Sequence, residues 1–167
     1  AVFTVFLTIR AGLRHDTKRT YVFKPLSTVL IILAALLSLG EPERNLGYTI
    51  GVTIGLVLSL GGDVALMLPH RKAFVIGLVL FLLAHIAYTV TFTVLSGFVQ
   101  ADLASAAVLV MVGVAMYLFL RPGLGSMRVP VIAYIVVISL MVNRAISIFY
   151  GATFSATQAW MISMGAV

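Results

Sequence analysis

The stretch Gly47–Met67, GYTIGVTIGLVLSLGGDVALM, decides what kind of protein this is. It has the length of a helix that crosses a bilayer, which needs about 20 apolar residues. Gly47, Gly51, Gly55 and Ser59 recur every fourth residue, a spacing that puts small side chains on one face and lets a neighbouring helix backbone come close. Near its end Gly61-Gly62 precedes a lone carboxylate, Asp63. A carboxylate at membrane depth costs about 2.5–3.5 kcal/mol on insertion scales, so a compensating partner or a function is expected there.

Working outward, the rest of the chain has the same character. Of 167 residues 62% are hydrophobic and 10% are charged, too little polar surface to cover a water-soluble globule. The chain contains no cysteine, which excludes a disulfide framework, a thiol nucleophile and a Cys-based metal site. The net charge of +6 comes mostly from short segments between apolar runs, a placement that orients a membrane protein and does not call for nucleic acid. In the opening stretch Ala1–Leu13 the basic residues follow the apolar run, the reverse of a signal peptide.

Apolar runs predict helices over 1–13, 25–39, 46–68, 73–95, 101–120, 129–150 and 155–167. Barrel strands would alternate over about ten residues instead. The expected fold is all-α: a polytopic transmembrane helix bundle, about seven spans visible with the first and last clipped, forming a single transmembrane domain over 1–167 that is cut short at both ends. Pro25 reads as the first turn of a helix starting after Lys24, Gly40-Glu41-Pro42 and Pro69 as stops, and Pro130 as the opening of a later span. Segments 14–24, 69–73 and 121–129 are basic, whereas the loops between them hold Glu41, Glu43 and Arg44, or only Asp102. By the positive-inside rule the basic segments face the cytoplasm of a cell membrane, expected to be the inner one.

Ionisable residues within the spans are Asp63, His85 and Arg144, with Lys24 at a helix mouth. Asp63 lies roughly 9 Å from the Pro69 end, in the cytoplasmic half. It is either a site residue or a structural carboxylate bonded to Lys24, backbone amides or a hydroxyl such as Ser59. His85 is about 18 Å into its helix, with Tyr88 on the same face. The stripe Phe81, His85, Tyr88 and Phe92 can line a lipid-shaped cavity or simply pack against another helix. Arg144, flanked by Asn143, Ser139 and Ser147, is expected to face the bundle interior and bind a phosphate or pair with a carboxylate, unless it snorkels to the interface. There is no HxxxH or HxxE pattern, serine-hydrolase elbow, P-loop or dinucleotide fingerprint, so neither metal nor cofactor is expected.

Taken together, Lys24-Pro25-Leu26, the run Ser59-Leu60-Gly61-Gly62-Asp63 through Pro69, Phe74…Gly77…Phe81…His85…Tyr88, Tyr134…Ser139…Arg144-Ala145 and Gly165-Ala166 resemble the YhhN-like lysoplasmalogenase family. The likeness covers about residues 24–167, with Asn143 where relatives often have an aromatic. It implies eight helices and hydrolysis of the vinyl ether bond of lysoplasmalogens to a fatty aldehyde and a glycerophospho-base. It also implies that Asp63 is the first of two family acids, the second lying in an SD motif just beyond Gly165-Ala166. The reaction protonates the alkene carbon, and water captures the resulting oxocarbenium ion. Two membrane-embedded aspartates can divide that work, one donating the proton and the other stabilising the cation. On this reading Asp63 is catalytic, while Lys24, His85, Tyr88 and Arg144 bind the lysophospholipid. The rival expectation is a non-catalytic membrane subunit or lipid-binding accessory protein, whose Gly47, Gly51 and Gly55 face docks a partner helix.

Overall fold

The computed structural model describes residues 17–40, 45–151 and 154–166. All regular structure among them is helical: α1 (Thr17–Leu37), α2 (Leu46–Met67), α3 (Arg71–Ser96), α4 (Ala101–Leu120), α5 (Arg128–Tyr150) and α6 (Ala156–Ala166), with short 3-10 turns at Ser38–Gly40, Arg121–Gly123 and Gly125–Met127. The all-α membrane fold is as expected. Four helices, α2 to α5, are long and apolar enough to cross a bilayer. The apolar part of α1, Pro25–Leu37, is shorter, α6 has 11 residues, and the expected first span, 1–13, lies outside the described residues. Large apolar side chains such as Val94, Met111 and Phe119 are exposed, as befits surfaces whose solvent is lipid.

One expectation is corrected. Pro25 does not open a helix but sits inside α1, which begins at Thr17. Proline removes a single backbone N–H, and neighbouring groups in a membrane bundle can re-satisfy the carbonyl it frees. The basic segment up to Lys24 therefore continues the apolar segment as one helix.

Contacts group the chain into two units, residues 1–87 and 88–167. In the first, α1 packs on α2. Asn45 caps α2, its side chain accepting from the Tyr48 N–H at 3.0 Å, and Pro69 follows the last turn. Gly62 and Gly77 are close points between α2 and α3. A Cβ on Gly62 would lie 2.8 Å from the Phe81 ring, and one on Gly77 2.8 Å from Leu66 and 3.1 Å from the Gly62 carbonyl oxygen. Gly62→Val or Gly77→Val should cost about 1–3 kcal/mol of stability, measured by unfolding in micelles. Gly123→Ala, whose Cβ meets nothing within 4 Å, should leave stability unchanged.

In the second unit, the end of α3 turns at Gly97, whose φ of 65° suits glycine because it has no Cβ to clash. α4 packs on α5 and α5 on α6. Gly113 of α4 is the close point with α5, a Cβ there falling 2.8 Å from Ile135. Pro130 lies in the first turn of α5, where its missing N–H leaves no helical bond unmade. α6 opens with a reciprocal cap: the Ser155 N–H donates to Gln158 Oε1 at 3.1 Å and the Gln158 N–H to Ser155 Oγ at 3.4 Å. Ser163 Oγ ties α6 to α5 by donating to the Ala145 carbonyl at 2.8 Å.

Candidate functional site

Asp63 sits one turn from the C-terminal end of α2 and is 6% exposed. Its position on α2 turns the carboxylate toward α1, where Thr28 Oγ1 donates to Oδ2 at 3.0 Å. Of the partners expected for a structural carboxylate, the hydroxyl type is present, supplied by Thr28. The double glycine before it has a mechanical meaning. Without a side chain at Gly62 the Phe81 ring can come within 2.8 Å of where a Cβ would lie, next to Asp63 in the chain.

His85 follows Phe81 by one turn of α3. Its Nδ1 lies 2.6 Å from the Phe81 carbonyl oxygen. A carbonyl only accepts, so Nδ1 carries the proton and Nε2 presents a lone pair when the ring is neutral. Tyr88 stacks on Phe92, with ring centroids 6.5 Å apart and planes 18° apart, and Phe92 is buried. Lys24 is in α1, one turn before Thr28; its side chain lies outside the described residues.

Arg144 belongs to a second polar cluster, at the turn between α3 and α4. Its Nη2 lies 2.9 Å from Asp102 Oδ2, and Nε and Nη2 donate to Asn143 Oδ1 at 3.2 and 2.5 Å. Nη1 donates to the Gly97 carbonyl at 3.1 Å. Asp102, 2% exposed, also accepts from the Val99 N–H at 2.9 Å and from Ser147 Oγ. Asn143 Nδ2 donates to the Asp102 carbonyl and to Ser105 Oγ at 3.0 and 2.6 Å. Of the two partners expected for Arg144, a phosphate or a carboxylate, the fold supplies the carboxylate.

Sequence reasoning treated Asp102 as a loop acid and missed Thr28. An arginine at membrane depth needs a counter-charge, and Asp102 is the acid of the adjoining loop. That signal was present. Nothing in the local pattern around Thr28 marks it. Among the described residues no three His, Asp or Glu side chains are grouped to hold a metal ion.

Comparison with known proteins gives one assignment. Searches of curated proteins and of solved structures return no match. The model of the YhhN family matches residues 19–167, spanning α1 through α6 and both polar clusters. The chain is thus an integral membrane protein belonging to the YhhN family.

Proposed function

We propose that this protein is a membrane hydrolase that cleaves the vinyl ether bond of lysoplasmalogens, with Asp63 as its acid–base group. The observation that carries the reading is the Asp63 carboxyl, buried in an apolar helix and oriented by a hydroxyl from a second helix. In the proposed reaction the protonated carboxyl delivers its proton to the alkene carbon, and the ether oxygen shares the resulting positive charge. Water adds to that cation while the Asp63 carboxylate takes back one of its protons, and the neutral hemiacetal collapses to a fatty aldehyde and the glycerophospho-base. Thr28 positions the carboxyl. Lys24, His85 and Tyr88 are the residues proposed to bind the lysophospholipid, and the exposed Arg71, Lys72, Arg121 and Arg128 support placing their turns on the cytoplasmic side.

The test is selectivity among three lysophospholipids that differ only at the chain linkage. The 1-alkenyl compound should release aldehyde, whereas the 1-alkyl ether, which has no alkene to protonate, and the 1-acyl ester should be inert. No aldehyde above the vesicle control, together with a stoichiometric co-purifying membrane protein, would support the accessory-subunit reading instead. Thr28→Val should lower turnover up to about tenfold, the upper value of one neutral hydrogen bond, while Thr28→Ser should retain most of it.

A further inference from the structure

A hydroxyl inside an apolar helix can satisfy itself on its own helix, at the carbonyl four residues earlier. This chain follows that habit. Thr49 Oγ1 donates to the Asn45 carbonyl at 3.2 Å, Thr93 Oγ1 to that of Thr89 at 2.7 Å and Ser147 Oγ to that of Asn143 at 3.0 Å. Two hydroxyls of α2 depart from it. Thr53 Oγ1 is buried and has no partner among the described residues. Ser59 is half-buried, and among the described residues its hydroxyl has no partner either.

The two differ in their neighbourhood. Thr53 lies about 15 Å along α2 from Asp63, whereas Ser59 precedes Asp63 by one turn. Residues at that spacing have Cβ atoms about 5–6 Å apart. Ser59 makes no direct bond to the carboxyl; the hydroxyl that does so is Thr28, at Oδ2. A carboxylate has about four acceptor sites, so Thr28 alone does not exhaust it. One water with two hydrogen bonds of about 2.8 Å spans roughly 5.5 Å between oxygens, and a buried water needs about two to four polar partners.

We propose that Ser59 and Asp63 hold a water molecule between them, and that this is the water which adds to the cation formed from the vinyl ether. The second half of the statement rests on the hydrolysis reading; the first half does not. Water is scarce in an apolar helix bundle, and an oxocarbenium ion is captured by the nucleophile beside it. The held water donates one O–H to Ser59 Oγ and the other to the carboxylate that has just given up its proton, which leaves a lone pair for the cationic carbon. As the new C–O bond forms, the second O–H breaks and its proton returns to Asp63. Ser59 is thus a positioning residue, acting through the water and not on the lipid.

The test uses the full chain in nanodiscs and two readouts. In the first, the infrared spectrum is recorded in ordinary and in heavy-oxygen water. The isotope difference should contain an O–H band of bound water that is lost in Ser59→Ala and kept in Ser59→Thr and in Thr53→Val. Absence of such a band from the parent, or its persistence in Ser59→Ala, would overturn the proposal. In the second, methanol is added during turnover of a 1-alkenyl lysophospholipid. Methanol capture of the cation gives a mixed acetal, with the methanol proton passing to Asp63, whereas water capture gives aldehyde. The acetal-to-aldehyde ratio should rise up to about tenfold in Ser59→Ala, the upper value of one neutral hydrogen bond, with KM for the lipid unchanged and Ser59→Thr restoring the parent ratio. A ratio that stays at the parent value in Ser59→Ala would remove this water from the reaction. A parent protein that forms neither product would sink the hydrolysis reading, and the infrared band would still decide whether Ser59 and Asp63 share a water.

Discussion

Asp63→Asn should abolish aldehyde release from a 1-alkenyl lysophospholipid, by about 10²–10⁴-fold, the range that a positioned proton donor contributes. The substitution keeps the shape of the side chain and an oxygen that can still accept from Thr28 Oγ1, so the contact between α1 and α2 should persist. An amide is also cheaper than a carboxylate to hold in an apolar setting. The variant should therefore unfold at the same temperature as the parent, or higher. The two readouts separate the possible roles: a catalytic acid loses turnover and keeps stability, whereas a purely structural carboxylate does the opposite. Wild-type turnover in Asp63→Asn would remove the residue from the mechanism.

The second large effect is on folding. Asp102→Asn or Arg144→Gln alone should each destabilise the second unit by about 3–5 kcal/mol, the usual result of breaking one side of a buried pair. Asp102 is 2% exposed and also accepts from Val99 and Ser147, so removing Arg144 leaves a largely buried carboxylate without its cation. The double variant Asp102→Asn with Arg144→Gln removes both charges while leaving amide groups able to bond with Ser147 and Asn143. Most of the lost stability should return. Unfolding in detergent micelles measures all three variants. Single losses that simply add in the double variant would mean that the two residues are not coupled.

Much of the architecture was legible because hydropathy accumulates along a chain. Runs such as 46–68 and 101–120 need no partner to be recognised, and the observed helices Leu46–Met67 and Ala101–Leu120 follow them closely. The α1 boundary was misread because a proline marks either a first turn or an interior position, and the residues around it do not say which. The close approach of α2 and α3 at Gly62 and Gly77 has no regular spacing to announce it. Gly62 and Gly77 are used because they meet Phe81 and Leu66, and such pairings involve two helices at once.

The same distinction runs through the candidate site. By itself the sequence determined the solvent of this protein, its helical class, and that Asp63, His85 and Arg144 would be the costly groups at membrane depth, since those follow from side-chain chemistry and position within a span. Only the tertiary structure decided their partners. Thr28 reaches Asp63 across a separation of 35 residues, and Ser147 reaches Asp102 across 45. Which hydroxyl or counter-charge meets a buried carboxylate depends on the rotation and depth of one helix against another, and those are set by packing of whole faces rather than by any local spacing.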